Sequence, residues 1–169
     1  MGILATALIA MAQLFTLATT QNLSARSTTS ATILARQKVE QLRSLTWGFD
    51  ADVLPVSDFS SDTSANPPVP NGGTGLSASA TNTLEQNTVG YVDYIGREGQ
   101  SLGTAATPPP GTVYVRRWSI EPLPTNPNNT LILQVLVYRV NARAGTGDDV
   151  WLRRPDEARI TTIKTRKAM

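Results

Sequence analysis

The chain has no cysteine and no histidine in 169 residues. Without cysteine there are no disulfide staples and no thiolate chemistry. Without histidine the commonest general base and the commonest metal ligand are both missing. Together these absences argue against an enzyme, and no cofactor is expected. Charge is also scarce: charged residues are 17% of the chain, below the roughly one quarter usual for a soluble domain. The net charge of +2 is too small to point to nucleic acid by itself. Proline is absent from residues 1–46, and the only glycine there is Gly2.

That proline-free stretch organises the chain. It opens almost purely apolar, as GILATALIAMAQLFTLATT, and then turns amphipathic without a break, as QNLSARSTTSATILARQKVEQLRSLTW. One continuous helix of roughly 45 residues would be about 68 Å long. The first charge is Arg26, so the uncharged run before it reaches about 38 Å, against roughly 30 Å for a bilayer core. Its most apolar part, Ile3 to Ala18, is a little short for a full span taken alone. Ile3, Leu4, Leu8, Ile9, Met11, Leu14, Phe15 and Leu17 are the residues expected to face lipid or neighbouring helices. A cleaved signal peptide ahead of an ordinary helix is the competing reading. It wants a basic start, which is not seen before the apolar run.

Beyond Arg26, apolar residues recur every three or four positions: Ala31, Leu34, Ala35, Val39, Leu42 and Leu45. Arg36, Lys38, Glu40, Gln41 and Arg43 fill the rest of the helix surface. Gly48 is the expected stop. Residues 47–88 are rich in Ser, Asp, Pro and Gly and read as loop, draped over the fold or partly disordered. Their acids Asp50, Asp52, Asp58 and Asp62 lack calcium-loop spacing and read as solvated side chains. Gly72-Gly73-Thr74-Gly75 lacks the lysine and following helix of a phosphate loop.

From residue 89 the pattern is β. Strands are expected at 89–95, 112–121, 130–140 and 158–166, with 150–153 continuing or re-entering the sheet. In the second, Tyr114, Arg116, Trp118 and Ile120 share one face, and Val113, Val115, Arg117 and Ser119 the other. The third is the most apolar and is expected to be central. The connections are too short for helical crossovers, so the sheet is antiparallel and the fold class α+β. The only helix available to cover it is the stripe from Ala31 to Leu45. The expected divisions are 1–25 for the free half of the helix, 26–46 for its packed half, 47–88 for the loop region and 89–169 for the sheet head.

Three stretches of this chain, taken together, resemble the type IV pilin-like proteins of the minor-pilin and pseudopilin class. They are the opening GILATALIAMAQLF, the helix exit ATILARQKVEQLRSLTW, and the strands YVRRWSIEPLP, TLILQVLVYR and ARITTIKTRK. The resemblance covers the helix and most of the sheet but not residues 49–88. It implies a structural subunit of a type IV pilus or a type II secretion pseudopilus. The subunit would be held in the bacterial inner membrane by a single pass, with its head in the periplasm. Its partners would be other pilin-like subunits through the N-terminal helix, and membrane lipid, with no small-molecule substrate. The prepilin signature, a basic leader, a Gly and an early Glu, is not in the chain. On this resemblance Met1 would fall roughly ten residues inside the family's mature helix, so the leader and the first part of the helix are expected upstream of it, with the chain either truncated or started at an internal Met. The cations Arg26, Arg36, Lys38 and Arg43 follow the apolar run and alone would hold the head in the cytoplasm. A head outside therefore requires a basic leader encoded upstream of Met1.

Other chemistry reads weakly. Asp148-Asp149 and Asp156-Glu157 sit in turns and read as solvated acids. Arg116-Arg117 beside Trp118, and Arg153-Arg154 near Trp151, offer charge and ring faces to single-stranded DNA. The same pairs more commonly make cation–π contacts at core edges, and nucleic acid is not favoured as a partner. A membrane-anchored periplasmic β domain that binds a partner without joining a filament is the remaining alternative.

Overall fold

The computed structural model describes residues 2–65, 67–140 and 157–167, with side chains from residue 9 onward. Helix α1 spans Gly2–Ser44, 43 residues. Its middle is rich in Thr and Ser, which are weak helix formers because their hydroxyls compete for backbone groups. Here the hydroxyls bond back into the helix itself. Thr16 donates to the Ala12 carbonyl at 2.9 Å, Thr19 to Phe15 at 2.8 Å and Thr32 to Thr28 at 2.8 Å. The helix ends four residues before Gly48. Two side chains hold its last carbonyls: Ser44 Oγ donates to Gln41 O at 2.8 Å and Lys164 Nζ to Arg43 O at 2.5 Å. The expected glycine stop is therefore replaced by a tertiary cap. Gly48 lies in a strand, bridged to Lys167, without a left-handed φ.

Residues 47–88 are more ordered than their composition suggests. Strands β1 (Trp47–Phe49) and β2 (Pro55–Ser57) pair antiparallel, as do β3 (Ser61–Asp62) and β4 (Val69–Gly72). The acids expected to be merely solvated build the turns. Asp50 Oδ1 accepts from the amides of Asp52 and Leu54, and Asp58 Oδ1 from those of Ser60 and Ser61. Asp62 Oδ1 accepts from the amide of Ser64. The glycine-rich run is a backbone crossing: a Cβ on Gly73 would lie 2.4 Å from Asp62 Cα and from the Ser61 carbonyl.

The main sheet has four antiparallel strands in sequence order: β5 (Val92–Ile95), β6 (Tyr114–Pro122), β7 (Thr130–Arg139) and β8 (Ala158–Thr165). The long strands β6 and β7 lie inside, with Trp118 opposite Val135 and Val135 opposite Ile160. The first strand starts later than its sequence suggests, because the amide of Tyr91 closes a turn onto Thr88 O and Gly90 takes φ 86°. The expected strand at 150–153 lies outside the described residues, as do Asp148, Asp149, Trp151, Arg153, Arg154 and Asp156.

Helix and sheet close over one core. Ala31, Ala35, Val39, Leu42 and Leu45 are buried against Tyr91, Trp118, Ile120 and the inward residues of β7, with Leu34 half-buried at the edge. At about 25 cal/mol per Å² of apolar surface, this burial is the main source of the head's stability. The outer face of the sheet is covered too. Val92, Tyr94 and Val115 form a second cluster with Leu102 and Tyr138. Arg117, also on that face, ties down the loop before β5: its guanidinium donates to Leu84 O, Glu85 O and Asn87 Oδ1 at 3.1, 2.6 and 3.0 Å. The sheet is thus the middle of three layers, with a helix on one side and loops on the other.

Candidate functional site

Two features of α1 stand out: a free half and a charged joint. From Ile9 to Leu23 every residue of the helix is exposed. This includes Ile9 at 59%, Met11 at 59%, Leu14 at 65%, Phe15 at 72%, Leu17 at 57% and Leu23 at 55%. The side chains of Ile3, Leu4 and Leu8 lie outside the described ones. Burial begins at Ser27 and follows the stripe to Leu45. The free half therefore projects from the head with apolar surface on all sides. Its threonines have their hydroxyls satisfied internally, so they add little polarity to that surface. Among the described residues, no helix is long and apolar enough to cross a membrane. The most apolar stretch, Ile3 to Ala18, begins ahead of the described side chains.

The packed half lies mainly over β7 and β8, and the joint forms at its flank, where long side chains link it to β5 and β6. Lys38 is fully buried, and its ammonium lies 2.8 Å from Asp93 Oδ2 on β5. Arg116 on β6 grips the same carboxylate with two bonds, Nε to Oδ1 and Nη2 to Oδ2, both 2.8 Å. Arg116 Nη1 also donates to Leu34 O at 3.1 Å, which fastens the strand to the helix backbone. Lys38 donates to Thr63 O at 2.5 Å and sits 3.9 Å over the Trp118 ring. The helix and two strands therefore meet on one carboxylate, and the loop after β3 is tied to the same Lys38 ammonium through Thr63 O. Burial pushes the Lys38 amine down to about 8 despite the adjoining Asp93, and Arg116 adds to the depression.

The joint was only half legible. Arg116 and Trp118 share the helix-facing side, as their alternation implies, but they make a core contact, with Lys38 as the cation on the ring. Lys38 and Gln41, which the stripe leaves on the rest of the helix surface, are buried. The spacing of Lys38 carries the missed signal: Ala31, Ala35, Lys38, Leu42 and Leu45 step by four, three, four and three, so Lys38 stands in the middle of the stripe. Asp93 had no signal beyond its place between Val92 and Tyr94. Among the described residues, no cluster of three or more acids suited to a metal ion is present.

No protein-family model, curated protein or solved structure matches this chain.

Proposed function

We propose that the chain is a type IV pilin-like structural subunit, of the minor-pilin or pseudopilin class. In this reading it is held in the bacterial inner membrane before assembly, and its helix enters the core of a pilus or pseudopilus. The observation that carries the reading is the exposed free half of α1 joined to a packed half that completes the head. Leaving Leu14, Phe15 and Leu17 in water forgoes roughly 1.5–3 kcal/mol per side chain. Parallel copies of the same rod would recover that energy, and the Ala and Thr positions between the large side chains favour close helix contact. The joint at Asp93 supports the reading from the other side. A rod loaded sideways or pulled from a membrane needs a rigid connection to its head, and Lys38, Asp93 and Arg116 lock the helix to the sheet in one register.

The alternative is a membrane-anchored periplasmic β domain that binds a partner and never enters a filament. Photocrosslinkers placed between Leu14 and Leu23 in intact cells separate the two. Adducts to pilin-like subunits support the filament reading. Adducts to lipid or to the chain itself alone support the anchor.

A further inference from the structure

The C-terminal end of α1, strand β1 and the last strand line an open cavity of about 530 Å³. That is within the usual size of small-molecule sites, roughly 300–1,000 Å³. The residues lining it include three cations, Arg43, Lys164 and Lys167. Trp47 and Phe49 supply apolar wall. Among the described residues that line it, none is acidic.

The end of a helix attracts cations, and that accounts for part of this charge. Lys164 rests on the Arg43 carbonyl, and Arg43 itself lies in the last turn. Lys167 is exposed beyond this cap. The cations also crowd one another: burial first, then Arg43 and Lys167, push the Lys164 ammonium below its ordinary range. The one acid paired with Arg43, Glu40, sits at 3.3 Å on the exposed surface, where such pairs are weak. A neighbouring cation makes the wall rigid. Arg166 lies 3.7 Å over the Trp47 ring and donates to Gly48 O at 3.0 Å and to Asn128 O at 2.6 Å. The cavity is therefore a preformed positive pocket with charge left over after the helix end is satisfied.

We propose that this cavity binds a phosphate group carried by a soluble small molecule. A phosphate dianion matches several cations at once, whereas a carboxylate offers one charge. The cavity lies at the far end of a 43-residue helix, about 60 Å from its start. A bilayer holding the apolar end does not reach it, so a soluble phosphate is favoured over a lipid headgroup. That choice of source rests on the membrane reading of α1; the phosphate chemistry does not.

The test is an amide-shift titration of the full chain in neutral detergent at constant ionic strength. The probes are inorganic phosphate, glycerol 3-phosphate, acetate and chloride. Saturable shifts at Thr46, Lys164 and Thr165 with the two phosphates are expected. Lys167→Gln, an exposed substitution that leaves the helix cap in place, weakens them about five- to tenfold. Equal shifts with acetate or chloride, or an unchanged affinity in Lys167→Gln, overturn the proposal. Phosphatidylglycerol doped into the detergent micelles forms a second arm. Shifts at these amides with the doped micelles but not with soluble phosphates overturn the soluble source.

Discussion

Asp93 is the residue on which the head's register depends. Two cations from different elements share its carboxylate in a fully buried site, so removing the acid leaves both uncompensated. Asp93→Ala is predicted to cost about 3–5 kcal/mol, read by urea unfolding of the full chain in detergent. Lys38→Met fits the stripe and leaves the two-bonded Arg116–Asp93 pair intact, so a change within about 1 kcal/mol is predicted. The same lysine sets an alkaline signature. Its amine lies at about 8 in the fold against an ordinary 10.5, so below pH 8 it is charged in both states and contributes no pH dependence. Between pH 8 and 10.5 the unfolded chain holds a proton that the folded one has released, and raising pH then favours folding. The gain is of order 3 kcal/mol at most. Unfolding curves across this window are predicted to show stability rising with pH, and Lys38→Met to lose most of that rise and keep the part from Lys164, whose ammonium is also held below its ordinary range. Tyr91 and Tyr94, whose phenols are raised by burial, act in the opposite direction above pH 10 and are common to both proteins.

At the scale of elements, the helix and the long strands were legible and the small hairpins were not. The stripe from Ala31 to Leu45 announces itself by three- and four-residue spacing, and β6 and β7 by alternating β-branched and aromatic side chains. Strands β1 to β4 carry no such period. Their pairing is fixed by aspartates bonding to nearby amides and by a close backbone crossing, and neither leaves a hydrophobic pattern. The second cover of the sheet was illegible for a related reason: loops at 84–87 and 102–106 are held by Arg117 and Tyr94, one bond at a time. Lys38 and Asp93 are not legible as a buried pair, because charge reads as surface until a partner is in view. Two substitutions test the hairpins. Gly73→Ala forces a Cβ into Asp62 and Ser61, and is predicted to lower stability by about 1–3 kcal/mol, seen as a fall in Tm. Val53 is β-branched, 71% exposed and held at φ 62°. Val53→Asn relieves that backbone conformation with no packing to lose, and is predicted to raise stability by about 1 kcal/mol.

The molecule divides by exposure: a rod from Ile9 to Leu23 that is exposed along its length among the described residues, and a three-layered head built on the packed half of the same helix. A change on the rod should leave the head untouched, because no side chain there touches the core. The most direct test of the rod as a filament-assembly element is to follow the chain, tagged at its native locus with its upstream coding sequence kept, and its Phe15→Asp variant in sheared or pelleted filament fractions. The Tm of each is measured in detergent alongside. The wild-type chain is predicted to co-sediment with the filaments, and Phe15→Asp to be lost from them while keeping the same Tm. A wild-type chain that stays in the membrane fraction, or a variant that co-sediments equally well, would contradict the filament role.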